Sequence, residues 1–200
     1  IFSGRATESL ARKVAEKYGS ELGNSVVFQY ADGEFQPSFE QTIRGRKVFI
    51  VQSTIPPTDN LFELLMMIDA AKRASALQVI AVIPYYGFAR QDRKDKPHIP
   101  LTARLVADML TAAGVDRVIT MDLHADQIQG FFNIPVDNFL GLPILANYLL
   151  DKKIENAVVV SPDHGGTTRA REMAKVLDTT IAIIDKRRPM PNVSEVMNII

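Results

Sequence analysis

The sequence predicts an α/β protein built on a mostly parallel sheet. Short runs rich in valine and isoleucine alternate with amphipathic segments through the 200 residues, and this alternation is typical of strand–helix–strand units. Two of the amphipathic segments end in glycine, at Gly19 and Gly114, as helices commonly do. A chain of this length buries enough apolar surface for one large domain or two small ones.

The first part of the chain is predicted to begin with a strand and a helix and to continue with a hairpin. Asp32-Gly33 is the turn signal of that hairpin. Thr58 is predicted to cap a later helix whose apolar residues recur at helical spacing. The predicted strands cover residues 1–3, 26–30, 35–39 and 47–52, and the predicted helices cover 7–18 and 58–75.

The remainder repeats one theme, a short apolar strand followed by a polar loop and a helix. The predicted strands cover residues 79–84, 117–122, 157–161 and 180–185, and the predicted helices cover 101–113, 126–131 and 167–177. Gly141 and Pro143 punctuate the chain before a further helix, so we divide it into residues 1–142 and 143–200. Ligands of open α/β sheets collect at the carboxyl ends of strands, which makes the residues that follow the strands the candidates for a site.

The composition excludes several classes of protein. The 23 basic and 23 acidic residues leave no net charge, whereas a dedicated nucleic-acid binder usually carries a basic excess. There is no cysteine, which excludes disulfides, thiolate metal sites and cysteine nucleophiles. No membrane span or signal peptide is evident in the sequence. We therefore predict a cytoplasmic protein that binds a small anionic ligand and neither nucleic acid nor membrane.

Three consecutive cations, Lys186-Arg187-Arg188, follow the last predicted strand. Adjacent positive charges repel one another, and a multiply anionic group such as the phosphates of a nucleotide offsets that repulsion. The alternative is a solvated basic loop, which the run by itself does not exclude. Other predicted strands are also followed by residues suited to bind phosphate, and this favours the first interpretation.

Two motifs with histidine follow other strands. Asp122 and His124 are predicted to project on the same side of an extended backbone, where an imidazole can ligate a divalent ion or donate to a phosphate. In residues 161–166, two glycines precede a helix, and Asp163 can hold magnesium or a ribose hydroxyl. The structural alternatives are a solvent-facing histidine and an aspartate that caps the helix.

Two further segments are weaker signals when taken alone. Residues 90–96 carry four positive and two negative charges, and most such runs are solvated. This run follows an aromatic stretch, and Arg90 is the residue best placed for a bidentate phosphate contact. Asp32-Gly33-Glu34 has no evident function beyond a hairpin turn.

Six long segments, spread in order over the chain, carry a resemblance to one family. They are FSGRATESLA at 2–11, DGE at 32–34, PYYGFARQDRKDK at 84–96, MDLHADQIQGFFNIPVDN at 121–138, VVSPDHGG at 159–166 and IIDKRRPMPNVSEVMNII at 183–200. The sequence thereby resembles the ribose-phosphate diphosphokinases, also called phosphoribosyl diphosphate synthetases. The resemblance implies transfer of the diphosphoryl group of ATP to the C1 hydroxyl of ribose 5-phosphate, which gives 5-phosphoribosyl 1-diphosphate and AMP for nucleotide biosynthesis.

The resemblance also implies roles for individual residues. Lys186 and Arg188 are expected to be catalytic, on a flexible loop, and Arg188 and Asp163 to bind the sugar substrate. His124 and Asp163 are expected to hold Mg²⁺. ATP is expected to contact Arg90 and Gln91, together with hairpin residues that often come from a neighbouring subunit, namely Tyr30, Asp32, Gly33 and Glu34.

The implied fold is a pair of tandem phosphoribosyltransferase-like domains, the first covering residues 1–142 and the second, at 143–200, incomplete. Because the family's ribose 5-phosphate loop lies beyond these residues, we expect the 200 residues alone to be inactive. The implied assembly is a homohexamer, for which Tyr85, Phe131 and Phe132 are predicted to be available as contacts. Asn133, at a frequent aspartate position, and Pro97-His98, near the family's regulatory phosphate site, depart from the family pattern.

Two other functions are considered. One is a non-catalytic regulatory subunit related to the family, which the uninterrupted cationic segment argues against. The other is a phosphoribosyltransferase, which has no need of the adenine-reading hairpin or of His124 paired with Arg90.

Overall fold

The computed structural model describes residues 1–190 and 193–199, and of residues 186–190 and 193–199 it describes the backbone alone. The chain divides into two compact units, Ile1–Phe139 and Leu140–Ile200. The larger sheet of the first unit has five strands, and the sheet of the second has three among the described residues.

The first unit begins with a short strand and continues through helices and strands in alternation. Its elements are β1 (Phe2–Ser3), α1 (Glu8–Tyr18), β2 (Ser25–Gln29), β3 (Phe35–Phe39), β4 (Lys47–Val51), α2 (Asp59–Arg73), β5 (Gln78–Ile83), α3 (Thr102–Ala113), β6 (Arg117–Met121) and β7 (Val136–Phe139). Short 3₁₀ segments, Arg5–Thr7 and Asp126–Phe131, follow β1 and β6.

Five of these strands form one parallel sheet in the order β1-β4-β5-β6-β7. Because all five point the same way, their carboxyl ends lie along one edge. β2 and β3 form a separate antiparallel hairpin. The prediction of an α/β fold with a mostly parallel sheet is confirmed.

The core of the first unit lies between the parallel sheet and its helices. Ile50 and Ile83 of the sheet and Leu64 and Ile68 of α2 are fully buried and belong to one hydrophobic cluster. Burying an aliphatic side chain of this size contributes about 1.5–3 kcal/mol. This packing holds the strands in place, and the loops of the candidate site begin at the ends of these strands.

The ends of the helices agree with the sequence in two cases and differ in a third. α1 and α3 end at Gly19 and Gly114, whose φ angles of 79° and 102° lie in the left-handed region that glycine adopts at no steric cost. Thr58 is the N-cap residue of α2 as predicted, but its side chain makes no capping bond, so the predicted side-chain cap is wrong. Its carbonyl instead accepts from the N–H groups of Leu61 and Phe62. Among the described residues, no helix is both long and apolar enough to cross a membrane.

Among its described residues, the second unit contains two α-helices and three strands. They are α4 (Leu142–Asp151), β8 (Val158–Ser161), α5 (Thr167–Leu177), β9 (Thr180–Met190) and β10 (Val193–Ile199). β9 pairs in parallel with β8 and antiparallel with β10. A 3₁₀ segment, His164–Gly166, connects β8 to α5.

The last predicted strand is longer than its sequence pattern indicates. β9 continues past Asp185 to Met190 because its second half pairs with β10, so the predicted end at Asp185 is wrong. The backbones of Lys186 and Arg188 therefore lie in a strand rather than in a loop. The side chains of both residues, on which their predicted catalytic roles depend, lie outside the described part of the chain.

Candidate functional site

A polar cavity of about 580 Å³ opens where the loop after β5 meets the segment after β6. These two strands are neighbours in the parallel sheet, so their carboxyl ends deliver both segments to one edge. Arg90 and Gln91 line the cavity from the first segment, and His124 and Gln127 line it from the second. The structure thus gathers three of the predicted site residues, Arg90, Gln91 and His124. The rest of the lining is Asp92, Arg93, Asp95, Ile99, Pro100 and Ala125.

Gln91 is held in place by hydrogen bonds on both sides. Its N–H donates to the carbonyl of Phe88 at 2.9 Å, and its carbonyl accepts from the N–H of Ala103 at 3.1 Å. Its side-chain Oε1 accepts from the hydroxyl of Thr102. The neighbouring Arg90 is exposed and lines the cavity, where a guanidinium on a fixed backbone presents a planar fork of donors suited to a phosphate.

A second bond joins the two walls of the cavity. Gln127 Nε2 donates to Asp92 Oδ2 at 2.8 Å, and Asp92 is buried. A hydrogen bond to an ionised carboxylate is stronger than one between neutral groups, so this bond couples the loop of Arg90 to the segment of His124. Sequence reasoning placed Asp92 in a solvated charge run and did not single out Gln127, because the pair has no local signature.

His124 lies on an exposed turn supported by the last strand of the sheet. The φ angle of Asp122 is 46°, and its N–H donates to the carbonyl of Phe139 at 2.9 Å. The N–H of Leu123 donates to Asn138 Oδ1 at 3.2 Å. The prediction that Asp122 and His124 share one side of an extended backbone is therefore wrong, because β6 has ended and the chain turns at Asp122.

The turn between β2 and β3 holds the residues predicted to read adenine. The N–H of Tyr30 donates to the carbonyl of Glu34 at 2.8 Å, and the N–H of Glu34 donates to Asp32 Oδ1 at 3.1 Å. Gly33 has a φ of 97°, as such a turn requires. The Tyr30 side chain is exposed, and its hydroxyl bonds to Gln36 at 2.7 Å. The turn is closed by these hydrogen bonds and exposed to solvent, and its residues are not part of the cavity lining given above.

Asp163 belongs to the second unit, in the loop between β8 and α5. Its Oδ1 accepts from the N–H of Gly166 at 2.9 Å, and its carbonyl accepts from the hydroxyl of Ser161 at 2.7 Å. Asp163 thus caps the 3₁₀ segment, the structural alternative considered for it, while a carboxylate retains further acceptor positions. His164 Nε2 lies 3.0 Å from Asp185 Oδ1, which ties this loop to β9.

The residues predicted to hold magnesium are single donors in the described part of the chain, without a preformed cage. In the part of the chain that the structure describes, no three histidine, aspartate or glutamate side chains gather into a metal-binding group. His124 and Asp163 lie in different units. Mg²⁺ usually keeps several waters and takes only one or two carboxylates together with substrate phosphates. A dedicated protein cage is therefore not needed.

Tyr86, in the loop that carries Arg90, contacts both α3 and another aromatic ring. The Tyr86 hydroxyl donates to the carbonyl of Ala103 at 3.0 Å, and its ring meets Phe132 edge-on with centroids 6.0 Å apart. Burial raises the pKa of Tyr86 above its ordinary value, so the phenol remains a neutral donor. Phe132 is 8% exposed and Phe131 packs against the core. The prediction that Phe132 is available for subunit contacts is wrong. Phe131 is half-buried, and Tyr85 is 51% exposed.

The fold and the cavity define a mostly parallel α/β protein with a polar candidate site at the carboxyl edge of the sheet of its first unit. The family model described as the N-terminal domain of ribose phosphate pyrophosphokinase matches residues 1–114. The chain belongs to the ribose phosphate pyrophosphokinase family, and the resemblance seen in its motifs is confirmed.

Individual relatives match the chain along its whole length. The ribose-phosphate pyrophosphokinase of Fusobacterium nucleatum is 58% identical over 203 residues, which cover 100% of this chain and 64% of the relative. That of Bacillus caldolyticus is 57% identical over 201 residues with the same coverage. The crystal structure of phosphoribosylpyrophosphate synthetase from Mycobacterium smegmatis has a TM-score of 0.88 and 40% identity, over 98% of this chain and 66% of that one. The chain thus spans about 64% of the length of these curated relatives.

Proposed function

We propose that the protein containing this chain transfers diphosphate from ATP to ribose 5-phosphate. The C1 hydroxyl oxygen attacks the β-phosphorus of ATP and loses its proton, and the bond from the β-phosphorus to the oxygen that bridges the α-phosphate breaks. 5-Phosphoribosyl 1-diphosphate and AMP leave. The proposal rests on a cavity that gathers Arg90, Gln91 and His124 in a chain 58% identical to a ribose-phosphate pyrophosphokinase.

ATP is bound from two sides. Arg90 and Gln91 contact its phosphates, and the hydrogen bonds that fix Gln91 set the position of both residues. The adenine is read by Tyr30 and the turn that follows it, Asp32, Gly33 and Glu34, of a neighbouring subunit. Transfer of this kind depends on in-line positioning and charge neutralisation more than on covalent chemistry.

His124 and Asp163 would be ligands of Mg²⁺ that arrives with ATP, and the bound ion would supply positive charge against the phosphates. Asp163 also contacts the sugar substrate, together with Arg188. Lys186 and Arg188 supply positive charge where it is needed as the diphosphoryl group moves. By analogy with arginine fingers and oxyanion donors, removing one such cation costs roughly 10²–10⁵ in rate.

The same proposal extends to the organisation of the whole protein. Residues 1–142 and 143–200 belong to tandem phosphoribosyltransferase-like domains, and the division of the chain at Phe139 supports a boundary in this region. The enzyme acts in the cytoplasm, in nucleotide biosynthesis, as a homohexamer with an ATP site shared between subunits.

The test is AMP release from ATP and Mg²⁺ by the full-length protein, with and without ribose 5-phosphate. Ribose-dependent AMP release that falls at least roughly 10²-fold in Lys186→Ala is the expected result. Lys175→Ala is the matched control, because Lys175 is an exposed lysine of the same unit on α5, and it keeps full activity. A folded wild-type protein that releases no AMP contradicts the proposal and favours the regulatory subunit.

A further inference from the structure

Thr54 lies just beyond the carboxyl end of β4, where it is 2% exposed. Its N–H donates to the carbonyl of Tyr85 at 3.0 Å. Its hydroxyl accepts from the N–H of Gly87 at 2.7 Å and donates to the same Tyr85 carbonyl at 3.3 Å. One buried residue therefore pairs with both a carbonyl and an N–H at the start of the loop that leads to Arg90.

The backbones of the two segments also touch directly. A Cβ atom added at Gly87 lies 2.1 Å from the carbonyl oxygen of Thr54, which is far inside van der Waals contact. Only glycine allows this approach, so the loop is pressed against Thr54 as well as bonded to it. We call this arrangement of Thr54, Tyr85 and Gly87 the loop clamp.

The loop clamp lies three residues before Arg90 and four before Gln91. Phe88, directly after the clamp, has a φ of 62°, and its carbonyl accepts from the N–H of Gln91. Beyond it, Gln91 is bonded to the first residues of α3. The short segment that carries Arg90 is therefore held by the loop clamp at one end and by hydrogen bonds to α3 at the other.

We propose that Thr54 is a positioning residue for the ATP contacts Arg90 and Gln91, an inference that rests on the proposed function. Thr54 is not among the residues that line the cavity, so it acts through the loop. Without the hydroxyl, the buried N–H of Gly87 has no acceptor, and the loop moves to find one because an unpaired buried donor is costly. The consequence falls on ATP binding rather than on the sugar.

The experiment compares Thr54→Val with Thr54→Ser in the full-length protein. Valine keeps the branched shape and removes the hydroxyl, whereas serine keeps the hydroxyl. In Thr54→Val the KM for ATP rises about tenfold, equivalent to about 1.4 kcal/mol, while the KM for ribose 5-phosphate stays within about twofold. In Thr54→Ser the KM for ATP stays close to the wild-type value.

Thr120→Val is the matched control. Thr120 is also 2% exposed, and its hydroxyl donates to the carbonyl of Ile83 at 2.8 Å in the same sheet, but it has no bond to the loop clamp. It is expected to lose stability without a change in the KM for ATP. Amide hydrogen exchange then shows faster exchange at residues 87–91 in Thr54→Val and not in Thr120→Val, while the core strands stay protected in both.

Several results overturn the positioning role. They are an unchanged KM for ATP in Thr54→Val, an equal rise in both KM values, a rise that Thr54→Ser does not reverse, and an equal rise in Thr120→Val. If the wild-type protein binds ATP but releases no AMP with ribose 5-phosphate, the proposed function fails separately. The loop clamp is then judged by the dissociation constant of ATP in the same variants, with the same expected tenfold shift.

Discussion

At the scale of single residues, buried polar groups hold the start of the chain to the edge of the parallel sheet. Glu63 is fully buried and accepts from both the N–H and the Nε of Arg5, at 2.8 and 2.7 Å. The buried Gln52 accepts from the N–H of Ala6 at 3.1 Å and donates to the carbonyl of Asn60 at 3.3 Å. These bonds join the segment after β1 to the end of β4 and to α2.

We predict that Glu63→Ala lowers the free energy of unfolding by about 2–4 kcal/mol, because it leaves a cavity in the core and removes two hydrogen bonds to Arg5. Glu8→Ala is the control, since Glu8 pairs with Arg12 on the exposed surface of α1 and such pairs contribute at most about 0.5 kcal/mol. Urea unfolding of the full-length variants measures both values. Equal losses in the two variants would show that burial of Glu63 adds nothing to its pairing.

At the scale of elements, the helices and strands predicted with the right bounds are those whose bounds depend on local sequence patterns. β3 and α5 have the predicted bounds, because their alternation and helical spacing are local patterns. The end of β9 depends on its pairing with β10, and the turn at Asp122 is stabilised by a bond to Phe139. The first is a hairpin in which Lys186 lies opposite Val196, and the second joins Asp122 to the end of β7. Each depends on a partner outside the predicted strand itself, and both elements were predicted wrongly.

The candidate site follows the same rule. Arg90 and His124 were found from motifs at strand ends and Gln91 from the family resemblance, and neighbouring parallel strands bring all three into one cavity. The bonds that support the cavity were not found. Gln127 and Asp92 are 35 residues apart in sequence, and Gly87 and Thr54 are 33 apart, so no window along the chain contains a signal for either pair.

Helix ends allow a prediction at this scale. We expect Gly19→Ala to lower the free energy of unfolding by about 1 kcal/mol, because its φ of 79° lies in the left-handed region. Gly114→Ala is expected to cost more, since its φ is 102° and an added Cβ also lies 2.9 Å from Lys72 Cγ. Lys72 would have to move, and it pairs with Asp116.

Gly130→Ala is the control for both glycines. Its φ is not in the left-handed region and nothing lies within 4 Å of an added Cβ, so stability is expected to stay the same or rise slightly. Urea unfolding measures the three variants. A loss in Gly130→Ala as large as that in Gly19→Ala would contradict the role assigned to backbone conformation.

At the scale of the whole molecule, the two surfaces proposed to bind ATP are built in different ways. The cavity of Arg90 lies at the carboxyl edge of the parallel sheet, whereas the turn of Tyr30 and Glu34 belongs to a separate hairpin. The turn is ordered by its own hydrogen bonds and leaves the Tyr30 ring exposed. A site within one chain requires the turn to reach that chain's own cavity, while a site shared between subunits does not.

Subunit sharing predicts that two inactive variants restore each other. Arg90→Ala removes the proposed phosphate contact and Glu34→Ala alters the turn proposed to read adenine, so each protein alone is expected to be inactive. In oligomers assembled from equal amounts of both, a site takes its cavity from one subunit and its turn from another. Roughly a quarter of the sites then combine two intact halves, and AMP release recovers to about that fraction. Arg90→Ala mixed with Gln91→Ala recovers nothing, because both changes damage the same half. If the first mixture also stays inactive although mixed oligomers are shown to form, the cavity and the turn of one subunit serve the same ATP.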